Sequence, residues 1–403
     1  MKFGLIKEGK VPPDERVALT PEQCAEFKAK WPDVELVVQA SEVRRIPAEE
    51  YRAAGISVVE DVSDCDVLIG VKEVNEEDLI EGKTYLFFSH TYKLQPYNAR
   101  LLAAILEKKV SLIDYEVLKK PDGRRIIGFG RYAGIVGAYN GLRAWGLREK
   151  SFELPRAIDG KDLDQMITSA RSVSFPGGMK IVLTGFGRVG RGAAELLEKV
   201  GVREVGKDEF LSVEFNDGPV FTHLGLGDYN ARVDGGKFDR EAFKNDPSEF
   251  KSTFLPYACA ADMYIAGHYY SDGSPYIITK EDLRNDDLRL KVVADVSCDI
   301  DGPVACTLKP STVADPVYGY DPINECECAF DKKGAITVMA VDNLPCELPR
   351  DASKGFGREM LDHVIPLLIE GDKDGVLEGA RETNLNGNLC EKFKYLSDYV
   401  ANS

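Results

Sequence analysis

Four side chains able to exchange protons or grip carboxylates stand at the ends of short apolar runs in the first third of the chain. Arg16 follows the loop after a strand-like Lys2–Ile6. Lys72, with Glu73 beside it, follows Val67–Val71. His90, preceded by Ser89, follows Thr84–Phe88, and Glu116 follows Val110–Asp114. In open α/β sheets ligands bind outside the carboxyl ends of the strands, so such loops gather at one rim. An imidazole exchanges protons near neutral pH, and a lysine drawn out of water gives up its proton more readily. Together they suit general acid–base work. Arginine forks onto carboxylates. Each residue also has a plain reading. Lys72 fits a surface lysine, His90 a hydrogen-bonded core histidine behind Phe87-Phe88, and Arg16, Arg124, Arg125 and Arg131 fit ion-pair partners.

A second kind of chemistry is written near the middle of the chain. The apolar run Ile181–Thr184 leads into Gly185-Phe186-Gly187-Arg188-Val189-Gly190, and a helical pattern follows from Ala193 to Val200. With a strand before and a helix after, these glycines suit a dinucleotide: one for a tight turn, one for close approach to pyrophosphate, one for helix–strand packing. A glycine-rich turn that binds nothing is the bland alternative. The second strand of such a site commonly ends in an acid that holds the ribose diol. Glu204, Asp208 and Glu209 all stand in that region without a clean strand end, so NAD and NADP both stay open. The segment Phe210–Lys251 lacks a strand pattern over much of its length. Its Asp228, Asp234-Gly235-Gly236 and Asp239 suggest an insertion or an altered second half-site.

Other reactive side chains carry less. The chain has nine cysteines and four histidines. The odd cysteine count, scattered without a framework, fits free thiols in the cytoplasm. Cys326-x-Cys328 lacks the second pair that zinc needs, and no histidine makes a metal-binding helix motif, so no metal is expected. Cys298 sits at a strand end, but a thiol nucleophile needs a base that the sequence does not supply. His268 either approaches a nicotinamide or packs against Tyr264, Tyr269 and Tyr270. His223 and His363 read as structural.

These groups need a scaffold. A chain of 403 residues suggests about two domains. The net charge of −16 argues against nucleic acid. No apolar run is long enough to span a membrane, and the first residues lack a secretory h-region. Strand and helix patterns alternate through the first third, with Thr20-Pro21-Glu22-Gln23 offering a helix cap and capping box. Such alternation predicts a parallel sheet with covering helices. Gly134–Gly146 is rich in small residues yet helix-periodic, and reads as a helix linking two domains. Glu153–Ser172 reads as a loose polar stretch. A second βαβ series starts at Met179, with strands at 262–266, 291–296 and 335–341. Helices are expected over 359–369, 375–381 and 389–400, and such a C-terminal tail often packs back on a first domain.

The motif order resembles the alanine dehydrogenase superfamily. It runs Arg16-Val17-Ala18-Leu19-Thr20-Pro21, then Gly70-Val71-Lys72-Glu73, then Phe88-Ser89-His90-Thr91-Tyr92-Lys93-x-Gln95. Longer matches resemble its saccharopine dehydrogenase (lysine-forming) and lysine–ketoglutarate reductase family. They include Leu112–Glu116, Gly123-Arg124-Arg125, Phe129-Gly130-x-Tyr132-Ala133-Gly134, Asp295–Asp299, Ser311–Pro316 and Asp342-Asn343-Leu344-Pro345. The resemblance implies oxidation of saccharopine, or a similar opine-type secondary amine, by a nicotinamide, with imine hydrolysis to lysine and 2-oxoglutarate, or the reverse condensation. It implies a catalytic pair at Lys72 and His90, supported by Lys93 and Glu116. It implies substrate contacts at Arg16, Arg125, Gln95, Phe129 and Ser297. Cofactor contacts fall on Arg124, Gly185, Gly187, Arg188, Gly190, Val296, Asp342, Asn343 and Leu344. Lys72 and His90 together should depress each other's proton affinity, with Glu116 moderating the effect.

The expectation is therefore an α/β protein of two Rossmann-like domains with parallel sheets and a cleft between them. A discontinuous substrate domain takes residues 1–130 and 340–403, and a dinucleotide domain takes 131–339. The cofactor is NAD or NADP, the partners are small amino acids and 2-oxo acids, and the chain is a monomer or homodimer. An alanine dehydrogenase-like reaction is the nearest rival, and a non-catalytic nucleotide-binding protein is a rival of another class.

Overall fold

In the computed structural model, residues 1–271 and 273–401 are described. Six short apolar runs become the strands β1 (Lys2–Leu5), β2 (Glu35–Gln39), β3 (Ser57–Val59), β4 (Val67–Ile69), β5 (Thr84–Phe87) and β6 (Ser111–Asp114). They pair in parallel in the order β3-β2-β1-β4-β5-β6. Between them run α1 (Pro21–Lys30), α2 (Ala48–Ala53) and α3 (Ala99–Glu107). The start of α1 is set as its residue types require. Thr20 caps it, and Gln23 returns a bond to the Thr20 N–H at 2.9 Å.

The chain divides into two units. The first holds Met1–Phe129 together with everything from Pro349 onward, and the second holds Gly130–Leu348. The C-terminal part joins the first unit through specific bonds. Ser353 Oγ accepts the Val17 N–H at 2.9 Å, and Arg358 meets Glu26 at 2.8 Å. Further on, the chain adds itself to β6: Glu382 N–H bonds Leu112 O at 2.9 Å, and Thr383 Oγ1 accepts Leu112 N–H at 3.0 Å. The helices expected here are broken up. A single 3₁₀ turn, Glu378–Ala380, stands within 375–381, and a 3₁₀ stretch Glu391–Leu396 precedes Ser397–Ala401. A π-helical turn, Met360–Val364, interrupts the segment 359–369. Pro366 lies just beyond this turn, and proline has no N–H for a helical bond.

The second unit carries α4 (Gly130–Glu149), α5 (Leu163–Arg171), β7 (Lys180–Thr184), α6 (Arg188–Lys199), β8 (Arg203–Glu204), β9 (Val220–Leu224), β10 (Asn230–Arg232), β11 (Phe250–Ser252), β12 (Met263–Ala266), β13 (Val292–Asp295), β14 (Val317–Asp321), β15 (Cys326–Cys328) and β16 (Ile336–Met339). Eight of these strands form one sheet in the order β15-β14-β16-β13-β12-β7-β9-β8. It is parallel except at one edge, where β14 runs antiparallel to β16 and β15 antiparallel to β14. That hairpin departs from the parallel sheet expected.

Three further expectations need correcting. The helix over Gly134–Gly146 is no linker. The whole of α4 lies inside the second unit and packs against α6 and the sheet, where a side chain at Gly134 would sit 1.9 Å from Val189 O. The stretch 153–172 is not all loose: Asp162 caps α5 by accepting the Gln165 N–H at 3.0 Å. The strand beside β7 is not near residues 202–209. That place belongs to β9, and only the two-residue β8 forms there, at the sheet edge. Glu204, Asp208 and Glu209 therefore do not stand at the end of the strand next to the glycine loop. The segment 210–251, expected to lack a strand pattern over much of its length, holds the five-residue β9 and the three-residue β10, and β11, also of three residues, begins at its end. Phe238, Phe243 and Phe250 cluster beside this hairpin, with ring centres 5.0 to 5.8 Å apart.

Candidate active site

In the first unit the strand ends do bring titratable side chains together. Lys72 lies just past β4. Its backbone N–H and that of Val71 are both held by Glu8, at 2.8 and 2.7 Å. Burial, and then the nearby Arg16 and Lys10, bring the Lys72 ammonium down to about 8. His90 follows β5 in a left-handed backbone conformation, φ +54°. Its Nδ1 lies 2.6 Å from Glu73 Oε1. Lys10 approaches the other Glu73 oxygen at 3.2 Å. Burial alone would raise the Glu73 carboxyl, but the His90 contact and Lys10 outweigh it and hold the group at about 2.

Two of the assignments made from sequence change. Glu116 does not moderate the Lys72–His90 pair; it bonds Lys93 at 2.7 Å, and Glu73 is the carboxylate on His90. The lowering of Lys72 comes from desolvation, Arg16 and Lys10, not from His90. In the sequence Glu73 is visible only as the neighbour of Lys72. Nothing there marks Glu8 or Asp14.

An aromatic platform ties in the arginines. Phe88 stacks on His90 with ring centres 6.3 Å apart and lies 6.0 Å from Phe129. The Arg125 guanidinium lies 5.6 Å from the Phe88 ring centre, and that of Arg16 lies 4.1 Å from Phe129. The two arginines differ in setting. Arg16 is 1% exposed and forks onto Asp14 at 2.5 and 2.9 Å, whereas Arg125 is exposed. Gln95 is fixed through its carbonyl, which accepts the Tyr399 hydroxyl. Arg124 is exposed and bonds Asp122 at 2.7 Å.

In the second unit the loop after β7 has the form that a pyrophosphate needs. Gly185 adopts φ +95°, and Gly187 starts α6. A Cβ at Gly190 would lie 1.6 Å from Gly185 O, so packing alone forbids a side chain there. A Cβ at Gly187 would meet nothing within 4 Å, and Arg188 beside it is exposed. Open space above a helix N-terminus is what an incoming anion requires, and so the loop fits a dinucleotide. His223 supports the turn, with Nε2 2.7 Å from Gly185 O. His268 is buried beside Thr184 and Tyr264, and burial brings it down to about 4.

Asp295, at the end of β13, organises the next turn. One oxygen accepts the Ser297 hydroxyl at 2.6 Å and the N–H groups of Ser297 and Cys298 at 3.1 Å each. Val296 and Ser297 are thereby fixed. Burial pushes the Cys298 thiol up to about 12, and its Sγ donates to Ala340 O, so it is no nucleophile. Asp342, Asn343 and Leu344 lie in this unit just past β16; Asp342 is exposed and Leu344 is buried. Among the described residues no helix is long and apolar enough to cross a membrane.

Comparison with known proteins agrees with this architecture. Residues 4–136 match the family model for the alanine dehydrogenase/PNT N-terminal domain. The chain is 28% identical to mouse (Mus musculus) mitochondrial alpha-aminoadipic semialdehyde synthase, over 90% of this chain and 44% of that protein. It thus spans less than half of that relative's length. It is 27% identical to the saccharopine dehydrogenase [NAD(+), L-lysine-forming] of Candida glabrata, over 90% of this chain and 93% of that one. Among solved structures, an L-alanine dehydrogenase superposes with a TM-score of 0.63 at 15% identity, covering 100% of this chain and 99% of the other. A transhydrogenase from Sinorhizobium meliloti gives 0.59 at 15%, covering 96% and 98%. By sequence the chain is similar to the alanine dehydrogenase/PNT N-terminal domain over residues 4–136 and, along most of its length, to saccharopine dehydrogenases and alpha-aminoadipic semialdehyde synthases, and its fold is that of L-alanine dehydrogenase.

Proposed function

We propose that the chain is an NAD- or NADP-dependent oxidoreductase acting on the CH–NH bond of saccharopine or a similar opine-type secondary amine. The observation that carries this reading is the run Lys72-Glu73 joined to His90. In consecutive residues it joins an ammonium lowered to about 8 and a carboxylate that grips an imidazole. A secondary amine loses hydride only when neutral, so its ammonium proton must first go to a base. Lys72, half deprotonated near pH 8, is suited to take it. When bound, the nicotinamide supplies the hydride acceptor. Water then adds to the substrate imine and loses a proton to His90, whose other ring nitrogen Glu73 holds in place. Protonation of the departing lysine nitrogen completes hydrolysis to lysine and 2-oxoglutarate, and the reverse order gives the condensation.

Arg125, with Arg16 behind it, supplies cationic groups for the substrate carboxylates, and Gln95, Phe129 and Ser297 complete the contacts. Lys93 and Glu116 pair with each other at 2.7 Å and are tied to the His90 loop through Asp114. Gly185, Gly187, Arg188 and Gly190 would hold the pyrophosphate, with Arg124, Val296, Asp342, Asn343 and Leu344 as further cofactor contacts. Two arginines favour a dicarboxylate partner over alanine, which needs a single clamp. Incubation with lysine, 2-oxoglutarate and either NADH or NADPH, against pyruvate and ammonia, tests the reading. Oxidation of the cofactor only with the first pair supports it, and turnover only with the second overturns it.

A further inference from the structure

Behind the His90 loop, four side-chain oxygens stand in a row that the proposed chemistry does not use. Asp114 Oδ2 meets Ser89 Oγ; Ser89 Oγ meets Thr91 Oγ1 at 2.5 Å; Thr91 Oγ1 meets Glu382 Oε2 at 2.6 Å. Asp114 and Glu382 are both fully buried, as are Ser89 and Thr91. Each of the three oxygen–oxygen contacts needs a hydrogen between its atoms at these separations. The two hydroxyls supply two. The third can come only from a carboxyl group. With both acids ionised, Ser89 would donate to Asp114 and Thr91 to Glu382. The central contact would then face two lone pairs.

We infer that Glu382 is a carboxylic acid in the folded protein, donating to Thr91, which donates to Ser89, which donates to Asp114, and that this directed chain positions His90. The proton belongs on Glu382 rather than Asp114 because their surroundings differ. Asp114 also accepts the N–H groups of Ser89 at 3.3 Å and Glu116 at 2.6 Å, which favour its charge. The second Glu382 oxygen, Oε1, is buried with no hydrogen-bond partner among the described residues. A charge there would be left uncompensated. Burial and the neighbouring Asp114 carboxylate push Glu382 well above the usual carboxylic range, in the same direction.

The chain of bonds acts on the site through the loop it holds. Ser89 and Thr91 flank His90, whose φ of +54° is costly for a residue with a side chain and must be held by its surroundings. Asn98 Nδ2 adds a bond to Ser89 O at 2.7 Å, and the Tyr395 hydroxyl donates to Tyr92 O at 2.9 Å. Asp114 links the two halves of the site. One oxygen holds the His90 loop, and the other holds the backbone of Glu116, which carries Lys93. Glu382 is thus a positioning residue. Its effect on turnover rests on the reading of Lys72 and His90 given above, whereas its protonation does not.

Infrared difference spectra between the unaltered protein and E382Q, at neutral pH in H₂O and D₂O, test the protonation directly. The unaltered protein should show the C=O stretch of a protonated carboxyl that E382Q lacks. T91V should shift that band, because the acid loses its acceptor. A band that persists unchanged in E382Q overturns the inference, whatever the substrate proves to be. Kinetics test the positioning role. The carboxamide introduced by E382Q keeps a donor toward Thr91, so this variant should retain most of the turnover that E382A loses. We expect E382A to lower kcat by about tenfold or more, with KM within about twofold, as a misplaced catalytic group does. Equal loss in both variants, or a change confined to KM, sinks the positioning role. Absence of any oxidoreductase activity in the unaltered protein would sink the proposed function and leave the infrared result standing.

Discussion

Glu73 Oε1 and His90 Nδ1 meet at 2.6 Å, and the Glu73 backbone is continuous with Lys72. One carboxylate thereby fixes the imidazole while its own position follows that of the lysine. Glu73 is held at about 2, below its ordinary 4.5, so it stabilises the fold above pH 4.5, and that contribution is lost as pH falls through 2. E73Q should unfold at a lower urea concentration at pH 7, by roughly 1–3 kcal/mol, because Glu73 is 13% exposed and little screened. Its stability should fall less steeply than that of the unaltered protein between pH 4.5 and 2. Parallel curves for the two would contradict the pairing.

Lys72 shows the opposite sign. Its proton affinity is lowered from 10.5 to about 8, so the folded protein binds fewer protons than the unfolded chain between those values. Stability therefore rises with pH across that window, and the penalty is full below it. K72M removes a desolvated charge and should be more stable at pH 7, by up to a few kcal/mol. The same change should lower turnover by roughly a hundredfold or more, and H90Q should do likewise. The rise of kcat/KM toward pH 8 should vanish in K72M. A variant that is both stable and fully active would eliminate Lys72 as the base.

The two glycines of the cofactor loop separate folding from binding. G190A drives a Cβ to within 1.6 Å of Gly185 O and should destabilise the second unit. G187A meets no protein atom within 4 Å and should keep its melting temperature. It should nevertheless lose about tenfold or more in nucleotide affinity, because the pyrophosphate needs that space. Titration of NADH and NADPH against protein fluorescence would measure this. Unimpaired binding by G187A would mean that the phosphates lie elsewhere.

Arg16 and Asp14 are 1% and 2% exposed and meet at 2.5 Å. D14A removes the buried carboxylate onto which Arg16 forks, and the cost should be about 3–5 kcal/mol in urea unfolding. A loss under about 1 kcal/mol would show that solvent reaches the pair.

The parallel sheet of the first unit and the cap at Thr20 were legible because they depend on local residue order. So was the strand–glycine–helix passage at residues 181–199. The partner of His90 was only half legible. Glu73 and Glu116 are both strand-end acids, and which of them reaches the imidazole depends on strand order and loop length. Glu8, Asp14 and Glu382 gave no signal at all. Glu8 and Glu382 act on backbone or hydroxyl groups distant in the sequence, and Asp14 on a guanidinium two residues on, relations with no periodicity. The strand beside β7 was misplaced because chain order suggests that the next strand is the neighbour, whereas here the following one, β9, takes that position.

The bond between Thr91 and Glu382 spans 291 positions. A ribosome delivers the His90 loop long before its anchor. Until then β6 keeps an unpaired edge where Leu112 will later meet Glu382 and Thr383. The nascent chain thus carries an unanchored His90 loop and an adhesive border until that distant segment emerges.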